Sequence, residues 1–210
     1  MLSSILTPAV RGSRAGTPRL AWWRLALLYS LGTVAAATAA GGVLTTGAWA
    51  LRRLGYEPWR WAYVAAVLIA LAYIPRLLGW TRFPPLIQST RQVPREWAYA
   101  YPPWGTALLF GLGLGSGFYT RIGVPTFYML VVWPFLAPAF LPPVLIWSSY
   151  GLARSGNVWW LAYTAPLEDP LKQATRITTA LMQRVKWLRG ANAALLIAVA
   201  AWLMAVRSSG

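Results

Sequence analysis

The sequence predicts an all-α, polytopic membrane helical bundle of about five transmembrane helices, on three observations. Of its 210 residues, 58% are apolar and only 11% charged, against about 45–50% and about 25% in soluble domains. With a mean hydropathy of +0.49, the chain carries too few charges to cover a water-facing surface. Second, the apolar residues fall in long stretches of low charge, and about 20 such residues cross a hydrocarbon layer of about 30 Å. Third, the 19 Lys and Arg outnumber the 4 Asp and Glu, for a net charge of +15. An excess of that sign between apolar stretches suits the loops beside an anionic membrane face.

Taken in order, residues 1–23 read as a basic, mobile N-terminal tail, with Arg11, Arg14 and Arg19 among Ser, Gly, Pro and Thr. Residues 24–210 read as a single transmembrane domain. Its first span is Leu25–Leu51, closed by Arg24 and by Arg52 and Arg53. At 27 residues it exceeds the roughly 7–15 of a signal-peptide core and reads as a retained span. The second span runs from Trp61 to Trp80, with Pro75 and Arg76 near its end. A polar linker, Thr81–Pro103, follows. Trp104–Ala153 then holds one charge, Arg121, over 50 residues. That suits two crossings, with Pro134, Pro138, Pro142 and Pro143 marking the turn, because proline ends or kinks a helix. After Tyr163 the chain turns polar through Glu168, Asp169, Lys172 and Arg176, and the last span is roughly Leu188–Val206.

Counting Lys and Arg by side gives the orientation. An N-terminus inside places thirteen on the cytoplasmic side: Arg11, Arg14, Arg19, Arg24, Arg76, Arg82, Arg91, Arg95, Lys172, Arg176, Arg184, Lys186 and Arg189. Four lie outside, Arg52, Arg53, Arg60 and Arg207, and Arg121 and Arg154 are left at membrane depth. The expected location is the inner (cytoplasmic) membrane, N-terminus cytoplasmic and C-terminus outside. The many Trp and Tyr near span ends read as an interfacial aromatic belt. Nucleic-acid binding is set aside, because it needs a solvated basic groove. The expected partners are the lipid bilayer and other membrane subunits or a second copy of the chain.

Composition also excludes chemistry. There is no His and no Cys, which removes thiol exchange, imidazole or thiolate metal sites, haem-ligating histidine and His-based triads. No carboxylate lies in an apolar run, and Glu168–Asp169 before Pro170 suits a helix N-terminus. No cofactor, metal or enzymatic activity is expected. Two features remain. The first span carries small residues at i+4 spacing, Gly32, Ala36 and Ala40 in one row and Ala37 and Gly41 in the next, which allows close helix approach in lipid. The second is Phe110–Gly117, where Gly111/Gly115 and Gly113/Gly117 form two overlapping GxxxG pairs. Thr120, Arg121, Gly123 and Pro125 follow, a segment expected to break the helix around Arg121–Pro125. A broken helix at membrane depth needs protein or a cavity around it, and an arginine there is a functional candidate. Thr120, Arg121, Gly123, Pro125, Gly113 and Gly117 are therefore the expected cavity or partner contacts.

The run from Leu108 to Thr120 (Leu-Leu-Phe-Gly-Leu-Gly-Leu-Gly-Ser-Gly-Phe-Tyr-Thr), followed by Gly123 and Pro125, resembles the second broken helix of the CcdA/DsbD transmembrane family. Those proteins carry reducing equivalents across the membrane for cytochrome c biogenesis and periplasmic thiol reduction. Tyr150-Gly-Leu-Ala-Arg154 resembles the Tyr-x-Leu-Gly element of the next helix, Trp187–Leu196 the closing helix, and Arg24–Gly79 the second and third helices. The resemblance covers residues 24–206 and implies helices two to six, with the first helix missing. Arg121 stands at the first proline of the family's Thr-Pro-Cys and Ile122 at its cysteine, so electron transfer is not inherited. The resemblance implies a shortened, redox-dead relative. Two functions remain open: a non-catalytic subunit or assembly factor that contributes helices to a membrane complex, or a small-solute or anion transporter with a cavity at the Gly-rich helix.

Overall fold

The structure, a computed structural model, describes residues 19–77, 94, 96–117, 126–164, 187, 190, 191, 193–199 and 201. Among the described residues every regular element is an α-helix: α1 (Arg19–Arg53), α2 (Pro58–Leu77), α3 (Trp97–Ala100), α4 (Pro103–Gly115), α5 (Thr126–Leu136) and α6 (Leu141–Thr164). Residues 193–199 are helical as well. At 1.5 Å per residue, α1 is about 50 Å long, α2 about 30 Å and α6 about 36 Å, whereas α4 and α5 reach only about 20 Å and 17 Å. Two helical stretches, Trp23–Arg53 and Pro58–Pro75, are long and apolar enough to cross a membrane, and Phe127–Leu136 is a shorter apolar helix.

Helix ends follow local chemistry. α1 starts at Arg19, inside the segment the sequence assigns to the tail. It stops at Gly55, whose φ of +83° is a left-handed conformation that a residue without Cβ enters freely. The Gly55 N–H then bonds Arg52 O at 3.1 Å and the Tyr56 N–H bonds Leu51 O at 3.0 Å, the two closing bonds of a Schellman turn. Pro58 opens α2 and Pro103 opens α4, at positions where no N–H is needed.

The prolines expected to mark the turn after Trp104 lie within it and on either side of it. Pro134 lies inside α5, in its last turn, where its missing N–H removes one bond and Ala137 N still reaches Trp133 O at 3.0 Å. Pro142 and Pro143 sit in the first turn of α6, where N–H groups have no intrahelical acceptor. The turn itself is residues 137–140.

The chain packs as two compact units, and both α1 and α6 contribute to each. The first holds α1 as far as Ala40, α3, α4, and α6 from Trp147. Its core is Ala26, Tyr29, Ala107, Phe110, Leu114 and Val158, with Leu25, Leu28 and Trp97 against it. Trp97 meets the Phe110 ring edge-on at 6.4 Å, and the buried Thr106 hydroxyl ties the α3–α4 corner to Trp97 O at 3.1 Å. The second unit holds the rest of α1, α2, α5 and the start of α6. There α2 packs on α5, burying Ala62, Ala66, Ala70 and Tyr73, one stripe at i+4, i+4 and i+3. Tyr73 stacks on Tyr128 at 5.7 Å and 10°.

Small residues share the helix contacts with large ones: Ala37 and Thr33 are fully buried, as are Trp147 and Leu196, whereas Leu31 is 55% exposed, Leu68 60% and Val43 72%.

Candidate functional site

In the first unit three helices meet at backbone contact around Thr33. A methyl group built on Gly111 of α4 would overlap the Tyr29 carbonyl oxygen and stand 3.0 Å from the Thr33 nitrogen. One built on Gly115 would overlap Thr33 O and lie 2.8 Å from Thr33 Cα. The fit is reciprocal, since a Cβ on Gly32 would fall 2.6 Å from Leu108 O and 3.3 Å from Gly111 Cα. From the other side, a Cβ on Gly151 of α6 would stand 2.9 Å from Val34 Cα and 3.0 Å from Ala37 Cβ. Gly111 and Gly115 are four apart and share one face of α4, so the pair acts as a GxxxG surface against α1.

Hydroxyl groups line this crossing, and several are bonded within their own helix. Thr33 Oγ1 donates to Tyr29 O at 2.8 Å and Ser30 Oγ to Ala26 O at 2.8 Å, the i−4 pattern of Ser and Thr in apolar helices. Two bonds join α1 to α6: Trp159 Nε1 donates to Ser30 Oγ at 2.6 Å, and the Thr38 and Ser148 hydroxyls pair at 2.8 Å. Trp159 also lies 5.1 Å from the Trp23 ring.

One charge stands beside these bonds. Arg154 is thirteen residues into α6, about 20 Å along its axis. Its guanidinium donates to Tyr150 Oη, one turn earlier, and lies 5.7 Å from that ring's centroid. Tyr29 of α1, 5% exposed, is within electrostatic reach of both. A guanidinium beside a phenol can hold an anion or a carboxylate by charge-assisted hydrogen bonds.

The second unit has its own cationic contact. Arg52, in the last turn of α1, donates to Phe135 O at 2.9 Å and Pro138 O at 3.4 Å. These are carbonyls at and beyond the end of α5, where a cation meets the negative end of the helix dipole. Arg53 lies over the Trp49 ring at 4.9 Å. Arg60 pairs with Glu57 and lies over Trp59 at 5.4 Å.

Of the residues singled out from sequence, Gly32 and Ala37 stand in the three-helix contact. Ala36 and Ala40 are half-buried, and Gly41 is buried, its carbonyl accepting from Thr45 Oγ1 at 2.7 Å. Gly113 is buried within α4. Gly117 does not pair with it on a helix: α4 ends at Gly115, and Gly117 has φ +78°, the left-handed exit of the helix. α4 ends at Gly115 and α5 begins at Thr126, on either side of the segment Arg121–Pro125. Thr120, Arg121, Gly123 and Pro125 lie outside the described residues, as do Glu168 and Asp169. Sequence reasoning gave no role to Arg154 and Tyr150, although their i, i+4 spacing was visible. It read Arg52 only as the flank of a span. No family model matches this chain, and no curated protein or solved structure matches it either.

Proposed function

We propose that this chain is a non-catalytic multi-pass protein of the inner (cytoplasmic) membrane that contributes helices to a larger complex, as a subunit or an assembly and anchor factor. The crossings would be α1, α2, the pair α4 and α5 as one interrupted span, α6, and the segment around residues 188–206, with the N-terminus cytoplasmic. The long apolar helices carry the membrane part: Trp23–Arg53 and Pro58–Pro75 have the length and composition of crossings, and lipid would solvate the outward-facing Leu31 and Leu68 at no cost while small residues bring backbones together. One row supports the subunit part. Ala35, Ala39, Val43 and Gly47 repeat every four residues along α1 and are all exposed, and a Cβ on Gly47 would meet nothing within 4 Å. Ala35, Ala39 and Gly47 form a second small-residue face, uncovered among the described residues and fit for a helix of a partner or of a second copy. A cysteine-free protein of the CcdA/DsbD type would suit this reading.

The test is the mass of the protein purified in mild detergent. We expect a particle heavier than one chain, reduced to one chain by Ala39→Leu or Gly47→Leu with insertion unchanged. A monomer in the unmodified protein ends the subunit reading. The position of Arg154 favours a second function, transport of an anion or small solute. It predicts anion flux in proteoliposomes that Arg154→Leu abolishes, whereas a subunit would give none.

A further inference from the structure

The end of the second unit where α1 turns into α2 carries two adjoining hollows that share Tyr56, Glu57 and Trp61. One, of about 450 Å³, is apolar and lies between α2 and α5, walled by Leu51, Pro58, Ala62, Ala65, Val131 and Phe135. The other, of about 570 Å³, is walled by Gly55, Arg60 and Val64 beside the shared residues. Both volumes fall in the range of about 300–1,000 Å³ usual for small-molecule sites.

We propose that these hollows hold one anionic phospholipid, an acyl chain in the apolar groove and the phosphate beside Arg60, with Arg53 adding charge from the same end of α1. The proposal rests on the membrane reading above. Charge and shape choose the occupant. Residues 52–60 carry Arg52, Arg53 and Arg60 against Glu57 alone. Arg52 is engaged with backbone carbonyls, which leaves Arg53 and Arg60, braced on Trp49 and Trp59. Arg60 has a carboxylate partner, but the pair is largely exposed, 67% and 52%, and a phosphate can compete for it. The aromatic residues Trp49, Tyr56, Trp59 and Trp61 are all exposed here, as they are at headgroup level. The groove follows α2 only from Pro58 to Ala65, about 10 Å of axis. That is too short for the face of a partner helix about 10 Å wide and several turns long, but it suits a flexible chain running from the headgroup into hydrocarbon.

The full-length protein, reconstituted in equal dioleoyl phosphatidylglycerol and dioleoyl phosphatidylcholine, is released from the membrane into native mass spectrometry. We expect phosphatidylglycerol to be retained at least fivefold over phosphatidylcholine. Arg53→Gln with Arg60→Gln should bring that ratio to near one. Ala65→Phe, which fills the groove with both arginines intact, should lower lipid retention as strongly. Glu57→Gln, which removes the competing carboxylate, should raise the ratio, an effect a merely structural pair would not give. Equal retention of both lipids, or a preference unchanged by the arginine pair, overturns the proposal. So does a protein partner, or a second copy, lost in Ala65→Phe while lipid retention holds. Extraction of the same preparation with alkaline carbonate separates the two levels: protein released from the vesicles overturns the membrane reading, and retained protein without lipid preference overturns only this site.

Discussion

At Gly115 the backbone of α1 occupies the space a side chain would need, since Thr33 Cα lies 2.8 Å from the position a Cβ would take. Backbone cannot swing aside as a flexible side chain can, so the helices would have to separate. Gly115→Ala and Gly111→Ala should each destabilise the protein by about 1–3 kcal/mol, the cost usual for overpacking. Gly156→Ala is the matched control on α6, where a Cβ meets nothing within 4 Å. It should be neutral or stabilise by about 0.4–1 kcal/mol through the unfolded state. Thermal unfolding in detergent reads all three, and equal shifts for Gly115 and Gly156 would mean that α4 and α1 do not touch. Arg52 offers a second residue-scale test. Arg52→Gln should free the carbonyls of Phe135 and Pro138, with a loss of about 1 kcal/mol for the missing hydrogen bonds and faster amide exchange confined to residues 133–140. Unchanged exchange there would remove its role as a cap.

Between elements, the α1–α6 pair is joined by hydrogen bonds as well as by small residues. Ser30→Ala removes the acceptor of Trp159 Nε1 and should cost about 0.6–1.7 kcal/mol, the measured range for polar contacts between membrane helices. A double-mutant cycle with Trp159→Phe isolates the pair, and a coupling near zero would show that the bond is not formed. At this scale the sequence made both faces of the α1–α4 contact legible, Gly32 on one helix and Gly111/Gly115 on the other, but only the α1 side of the contact with α6. Gly32 and Ala37 stood out because i+4 spacing of small residues is a surface property of one helix, readable without its partner. Which surfaces they meet, Leu108–Gly115 and Gly151, is set by how the helices cross, which no local pattern states. Gly117 was misread for a related reason. Spacing puts it on the Gly113 face, but its positive φ takes it off the helix. The four prolines do flank a turn, Pro138 within residues 137–140 and the others in the adjoining helix ends, because within one turn of a helix end the bond a proline removes matters little. Arg121 dominated the reading as the lone charge in its stretch, whereas Arg154, just beyond that stretch, is the arginine that proves to have described phenolic neighbours.

For the whole molecule, the thirteen-to-four division of Lys and Arg predicts topology independently of any contact. Reporter fusions after residues 10 and 90 should be active only in the cytoplasm, and one after residue 210 only outside. An externally active fusion at 90 would remove the five-span arrangement, since that linker carries Arg82, Arg91 and Arg95. The all-helical character of the described residues, and the two long apolar helices among them, were legible because they rest on composition and run length, which survive any rearrangement of the helices.

The hydroxyls of α1 bear on how the chain is made. Gly32 leaves the ribosome about eighty residues ahead of Gly111, a wait of roughly 4–16 s at 5–20 residues per second. If α1 crosses a membrane as proposed, the face that will receive α4 and α6 has only lipid or the insertion machinery beside it during that wait. An unsatisfied hydroxyl in that setting would draw water or a wrong partner. Ser30, Thr33 and Thr45 already bond the carbonyls one turn back, so these groups are satisfied before any other helix arrives. On the membrane reading proposed above, α1 is equipped to insert ahead of its partners, and a nascent chain arrested after residue 80 should already resist alkaline extraction.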